Sequence, residues 1–286
     1  MPAPSSSSAA SATVAAMPRP VSPVAGPRPV VLVTGAARRI GRHIALELAA
    51  AGWDVAVHCH RSVDEARHTV ADLQALGARA AVLAADLADE AACEALVPAA
   101  VQALGGLQAV VNNASLFEHD TVHDFGHAAM ERHWRANTAP AVLLARALHR
   151  HLVTTGGTQG CLVNLLDQKL WNPNPDHLSY TLSKAALQAA TTALAQALAP
   201  VLRVCGVAPG VTLLSGDMSD EEFAASHRMT PLGRSSTPED VACAVRYLLE
   251  APAVTGTTLL VDGGQHLQPQ PRDVMFLARG QAEVPR

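Results

Sequence analysis

Short β-branched apolar runs alternate along the chain with longer stretches rich in Ala and Leu. The runs are VVLVTG (30–35), DVAVH (54–58), RAAVL (79–83), AVVNN (109–113), GCLVNLL (160–166), RVCGVAPG (203–210) and TLLVDGG (258–264). Each predicts a strand. They are almost wholly apolar rather than alternating, so both faces are expected under helices, as in a parallel doubly wound sheet. Helical stretches over 40–51 and 63–76 stop at Gly52 and Gly77, where glycine can take the left-handed backbone of a helix end. Further helices are expected over 89–104 and 128–151, with kinks or boundaries at Pro98 and Pro140.

At 286 residues the chain has the length for one α/β domain of roughly 250 residues with tails. Residues 1–28, MPAPSSSSAASATVAAMPRPVSPVAGPR, carry too few large side chains to offset the entropy of ordering and read as a disordered extension; Met17 is an alternative start. Residues 29–268 read as a single domain, and 269–286, interrupted by proline, as a tail that packs locally if at all. The beginning lacks the basic start and apolar core of a secretory signal, and no stretch approaches the roughly eighteen apolar residues of a membrane span. A soluble, cytoplasmic protein is expected.

Charge and composition narrow the partners. A net charge of −4 without a basic run, and 3% aromatic residues, argue against a nucleic-acid surface and for small-molecule chemistry. The five cysteines stand singly and read as buried free thiols. The 13 histidines lack a converging ligand set, so no metal is expected.

VVLVTGAARRIG runs a buried strand into Gly35, a tight turn, and Gly41 at the opening of a helix. Such a turn in a first βα unit aims backbone N–H groups and a helix N-terminus at a pyrophosphate. The spacing is not G-x-G-x-x-G, because Arg39 stands where a middle glycine often falls; Arg39 has a better claim than Arg38 to face a ligand. The second strand exits through His60, Arg61 and Ser62. A cation and a hydroxyl suit a 2′-phosphate better than the carboxylate of an NAD site, which favours NADPH over NADH. Asp86, after the third strand, and Asn113 and Ala114, after the fourth, are adenine-side or ribose-side candidates; turn chemistry explains them equally well.

Tyr180 and Lys184 lie one helical turn apart, on one face. A phenol with a pKa of about 10 is a poor proton donor or acceptor near neutrality unless a nearby cation stabilises its phenolate. Taken in order, TGAARRIG (including Ile40), ADL (Asp86, Leu87), NNAS (Asn113 to Ser115), Asn137, SYTLSK and VAPG (Pro209, Gly210) resemble the short-chain dehydrogenase/reductase family across roughly residues 29–266. That resemblance implies a Rossmann-type, three-layer α/β/α, tetramer-forming oxidoreductase. In it Tyr180 exchanges the proton, while Lys184 lowers its pKa and holds the nicotinamide ribose.

One position departs from the family's commoner pattern. Asp167 stands at the end of the fifth strand where most members have a serine that donates to the reacting carbonyl. An ionised carboxylate accepts hydrogen bonds only and would repel a developing alkoxide, so simple ketone reduction is disfavoured. Beside Tyr180 it suits a ring rich in N–H donors and basic nitrogens. Asp167, Tyr180 and Lys184, with HCHRS and NNASLF, resemble the pteridine reductases within the family.

The likeness implies a pterin or dihydrofolate substrate sandwiched between the nicotinamide and Phe117. It also implies Ser115 and Arg39 on cofactor phosphates and pterin polar atoms, and Asn137 supporting a water chain to Lys184. Phe117 as a loop anchor and Asp167 as a cap or salt-bridge partner remain alternative readings, as do a general carbonyl or 3-oxoacyl thioester reductase and a non-catalytic NADPH-sensing protein. Trp171 and the prolines of DQKLWNPNPDHL are expected in the pocket wall, and the segment after Gly210 forms the substrate lid.

Overall fold

The protein's structure, a computed structural model, describes residues 27–156, 159–214 and 218–280. Seven strands form one parallel sheet: β1 (Val30–Val33), β2 (Asp54–Cys59), β3 (Ala80–Ala84), β4 (Ala109–Asn112), β5 (Gly160–Leu165), β6 (Leu202–Pro209) and β7 (Thr258–Val261). Their order is β3-β2-β1-β4-β5-β6-β7, with every neighbouring pair parallel. This is the doubly wound α/β sheet that the apolar runs predict, and the order in which successive strands are added reverses between β1 and β4.

The two faces of the sheet explain why the strands do not alternate. Val31 and Val33 point into one core with Ile44 and Leu48 of α1 (Arg39–Ala50), Leu73 of α2 (Val63–Ala75), and Val241 and Val245 of α8 (Pro238–Glu250). Val30 and Leu32 point into a second core with Leu96 and Val97 of α3 (Glu90–Leu104) and Leu144 and Leu148 of α5 (Ala139–Thr155). Successive residues of a strand face opposite sides. With both sides covered, each must be apolar.

The remaining helices are α4 (His127–His133), α6 (Leu178–Ala197), α7 (Asp220–Arg228) and α9 (Val274–Ala278). The single helix expected over 128–151 is divided: α4 passes into a π-turn over Trp134–Thr138, and Pro140 sits in the first turn of α5. Proline is tolerated there because the first N–H groups of a helix have no intrahelical acceptor. Pro98 behaves otherwise, for α3 runs through it without a boundary.

The extension expected over 1–28, including Met17, lies outside the described residues except for its last two. Arg28 is anchored, donating to the carbonyls of Ala49 and Trp53 and pairing with buried Asp54. The segment after residue 268, expected as a tail that packs locally if at all, packs on the body through Arg272 and α9, and 281–286 lie outside the described residues. Cys243 is exposed whereas the other four thiols are buried. Among the described residues no helix is long and apolar enough to cross a membrane.

Candidate active site

At the carboxyl end of β1 the chain turns through Gly35, whose φ is +64°, into α1. A Cβ at Gly41 would fall on the carbonyl oxygen of Gly35 and on the Asn113 amide, so only glycine lets α1 start this close to the strand. Arg39 is left-handed, at φ +54°, a conformation that glycine adopts more cheaply and that fits its place between the two glycines. Its guanidinium donates to the carbonyl of Leu214 in the loop after β6, at 2.8 Å, which joins the turn to the expected lid.

His58, which sequence reasoning passed over, holds this turn to its neighbours. Its Nδ1 accepts from Gly35 N at 3.1 Å, so Nε2 carries the proton and donates to the Ala85 carbonyl at 3.2 Å. Burial pushes its pKa down to about 4, keeping the ring neutral. No periodic signal marks His58, because β2 is buried throughout, and His60 is exposed because it lies past the end of the strand. Thr34 Oγ1 accepts from Asn113 N at 2.9 Å and Ala114 N at 3.0 Å, and Asn113 Nδ2 donates to the Thr34 carbonyl, locking the end of β4 against the turn.

The adenine-side candidates gather at the ends of β2 and β3. His60 Nε2 lies 3.7 Å from Asp86 Oδ2, and Arg61 is exposed. Asp86 Oδ1 accepts from Ala88 N at 3.0 Å, so turn chemistry accounts for part of its role. Ser62 precedes α2 without capping it through its side chain, and Leu87 is buried in the second core.

A cavity opens beside the turn, at the ends of β4, β5 and β6. Arg39, Ile40, Asn113, Ser115 and Phe117 line one side, Asp167, Tyr180 and Lys184 the floor, and Pro209, Gly210 and Met218 the side toward the lid. α6 presents Tyr180 and Lys184 together because they are one turn apart on its buried face. Asp120 fixes the start of that helix, accepting from Ser179 N at 2.9 Å and from the Ser179 hydroxyl.

Tyr180 donates to Asp167 Oδ2 at 2.7 Å, and Lys184 Nζ donates to the Leu165 carbonyl at 2.7 Å. Asp167 also caps the short 3₁₀ turn Gln168–Leu170, its Oδ1 accepting from Lys169 N at 2.8 Å. One carboxyl oxygen thus caps the turn, and the other accepts from the tyrosine. Burial raises the Asp167 pKa, against the lowering pull of the Lys169 N–H and the Tyr180 hydroxyl.

Burial first, then the negative charge of Asp167, hold the Tyr180 phenol well above its usual pKa. This is opposite to the direction expected from Lys184. Burial in turn lowers Lys184 to about 8, with Asp167 acting the other way.

Asn137 lies in the π-turn, with its Nδ2 donating to the Leu116 carbonyl and Ser183 Oγ and its Oδ1 accepting from Leu116 N and Ser115 Oγ. It bonds these groups rather than Lys184, and so fixes the loop that carries Ser115 and Phe117. Phe117 stacks on the His177 ring at 4.2 Å and 19°, and meets Tyr180 edge-on at 4.7 Å. At 42% exposure on the cavity wall, it is no buried loop anchor. His177, which precedes α6, takes φ +55°. Among the described residues, no group of three or more His, Cys, Asp or Glu is gathered around a common point.

A family model described as enoyl-(acyl carrier protein) reductase matches residues 35–266, and the chain belongs to this short-chain dehydrogenase/reductase family. Within it the chain is an oxidoreductase of the pteridine reductase-like group. The structure of FolM Alternative dihydrofolate reductase 1 from Brucella suis, in complex with NADP, is 41% identical, with a TM-score of 0.80 over 84% of this chain and 96% of that one. Pteridine reductase 1 of Leishmania tarentolae is 32% identical, over 84% of this chain and 96% of its own length. The 3-oxoacyl-(acyl-carrier-protein) reductase of Aggregatibacter actinomycetemcomitans is also 32% identical, over 82% and 98%.

Proposed function

We propose that the protein is an NADPH-dependent pteridine reductase that acts on dihydropterins or dihydrofolate. The observation that carries the reading is the hydrogen bond between Tyr180 and the buried carboxyl group of Asp167 on the floor of the cavity. The residues present fit a dinucleotide. Gly35 and Gly41 let α1 start hard against the end of β1, a turn whose helix N-terminus suits a pyrophosphate, and His60, Arg61 and Ser62 offer a cation and a hydroxyl to a 2′-phosphate. By the family likeness, Arg39, Ile40, Asp86, Leu87, Asn113, Ala114, Ser115, Pro209 and Gly210 would hold the dinucleotide, and Lys184 would hold its nicotinamide ribose.

When bound, the cofactor supplies a hydride to the carbon of a ring C=N. Tyr180 then gives its phenolic proton to the ring nitrogen, so that the substrate gains one hydride and one proton. Asp167, with its pKa raised by burial, can hold a proton at Oδ2 and return it to the phenolate. Once protonated, it no longer opposes ionisation of Tyr180. Lys184 places a positive charge near the phenolate, 5.7 Å from the Tyr180 ring centre. Phe117 offers a ring face to a flat heterocycle, and Arg39 and Ser115 offer donors to its polar edge. Asn137 acts by holding the loop of Ser115 and Phe117. The family likeness also carries a homotetramer, which light scattering would test.

A 3-oxoacyl thioester reductase is the second reading, favoured by the likeness to the 3-oxoacyl reductase. Steady-state NADPH oxidation with oxidised and dihydro pterins, dihydrofolate and an acetoacetyl thioester separates the two. Turnover of the pterins with little on the thioester is expected. The reverse order would overturn the proposal.

A further inference from the structure

The cavity has an outer wall that the chemistry above does not use. Lys169, in the β5–α6 connection, lines it together with Asp273, in the C-terminal segment. Buried charge ties the two segments together. Arg272 Nη2 donates to Asp176 Oδ1 at 2.7 Å and its Nε to Oδ2 at 3.2 Å, with Asp176 0% and Arg272 3% exposed. Asp273 N donates to Asp176 Oδ2 at 2.8 Å. A buried pair with this many bonds holds its geometry firmly, because losing either partner strands the other charge.

Lys169, itself buried, donates from Nζ to the Asp176 carbonyl at 2.5 Å and stands 3.5 Å from Asp273 Oδ2. Of these two neighbours Asp273 lines the cavity, while Asp176 is fully buried. Asp273 Oδ1 accepts from Met275 N at 3.1 Å, and its side chain is 20% exposed. A carboxylate has about four acceptor positions, so acceptor capacity is left over at the cavity. Gln168, buried in the same wall, has its Oε1 without a hydrogen-bond partner among the described residues. The wall therefore offers acceptors, and of the Lys169–Asp273 pair the carboxylate is the more exposed member.

We propose that Asp273 is a specificity-determining residue, accepting hydrogen bonds from hydroxyl groups on a short neutral ring substituent and disfavouring substituents that carry carboxylates. The inference rests on the pteridine reductase reading and selects among its substrates: polyhydroxylated dihydropterins over dihydrofolate.

The test compares kcat/KM for dihydrobiopterin and dihydrofolate in the wild type and in Asp273→Asn, which keeps a side-chain acceptor for Met275 N. The wild type should prefer dihydrobiopterin. The variant should move the ratio toward dihydrofolate on the order of tenfold, through KM rather than kcat, with the NADPH Kd held within about twofold. Lys169→Met, which leaves the Asp273 charge without its cation, should move the ratio the opposite way. The ratio cancels any effect common to both substrates.

Turnover of both substrates with an unchanged ratio in the two variants would overturn this inference alone. A wild type inactive on every pterin and on dihydrofolate would overturn the functional reading and this inference with it.

Discussion

The Tyr180 hydroxyl and Asp167 Oδ2 lie 2.7 Å apart, and the other oxygen of that carboxyl group accepts from the Lys169 backbone. One side chain therefore orients the acid of the site and caps the turn that leads into the pocket wall. Burial pushes the pKa of both groups upward.

Asp167→Asn should lower kcat/KM for dihydropterins by about 100-fold or more, the usual scale for removing a positioned acid or base. NADPH affinity, followed by fluorescence titration, should stay within about threefold. In the wild type, kcat should fall as pH rises through the raised pKa of Asp167, because the proton-holding form is lost on ionisation. The variant should lack that limb. Unaltered pterin turnover in it would rule out the role.

Arg39 tests the turn. Arg39→Ala and Arg39→Gly both remove the bond to Leu214, and they differ in the cost of a left-handed backbone. The glycine variant should be the more stable by about 1 kcal/mol in urea unfolding. Both should weaken NADPH binding. Equal stability of the two would mean that the turn relaxes.

His58 ties stability to pH. Its folded pKa of about 4 lies below the unfolded value of 6.5, so its contribution is complete above about 6.5 and is lost as pH falls toward 4. The whole span amounts to about 3 kcal/mol at most. Thermal unfolding between pH 7 and 4.5 should show Tm dropping over that window, and His58→Gln should flatten the slope. Parallel curves for the two proteins would refute the linkage.

Phe117→Ala removes the exposed ring that rests on His177. The KM for dihydropterins should rise about tenfold, a loss in keeping with one aromatic stacking partner, while the NADPH Kd changes little. A variant that lost NADPH and pterin affinity equally would point instead to collapse of the loop held by Asn137.

The sheet and most helix ends were legible because they rest on local rules: runs buried on both faces, glycine stops, and proline in a first turn. That Tyr180 and Lys184 share a face was legible because spacing on one helix determines which side chains lie together. What escaped depends on contacts between distant segments. Pro98 continues α3 because packing outweighs one missing backbone bond. Asp120, His58 and the Asp176–Arg272 pair act across 59, 23 and 96 positions, and no periodicity reports such pairings. The upward shift of Tyr180 was likewise hidden, because sequence displays the neighbouring lysine but not the depth of burial.

The Asp176–Arg272 pair also sets an order of events in folding. Its partners are far apart along the chain, and closing so long a loop costs entropy that only a preformed docking surface offsets. A refolding chain should thus regain its far-ultraviolet helical signal before its selectivity between substrates. The choice of substrate, rather than ellipticity, is the signal that reports the last stage of maturation.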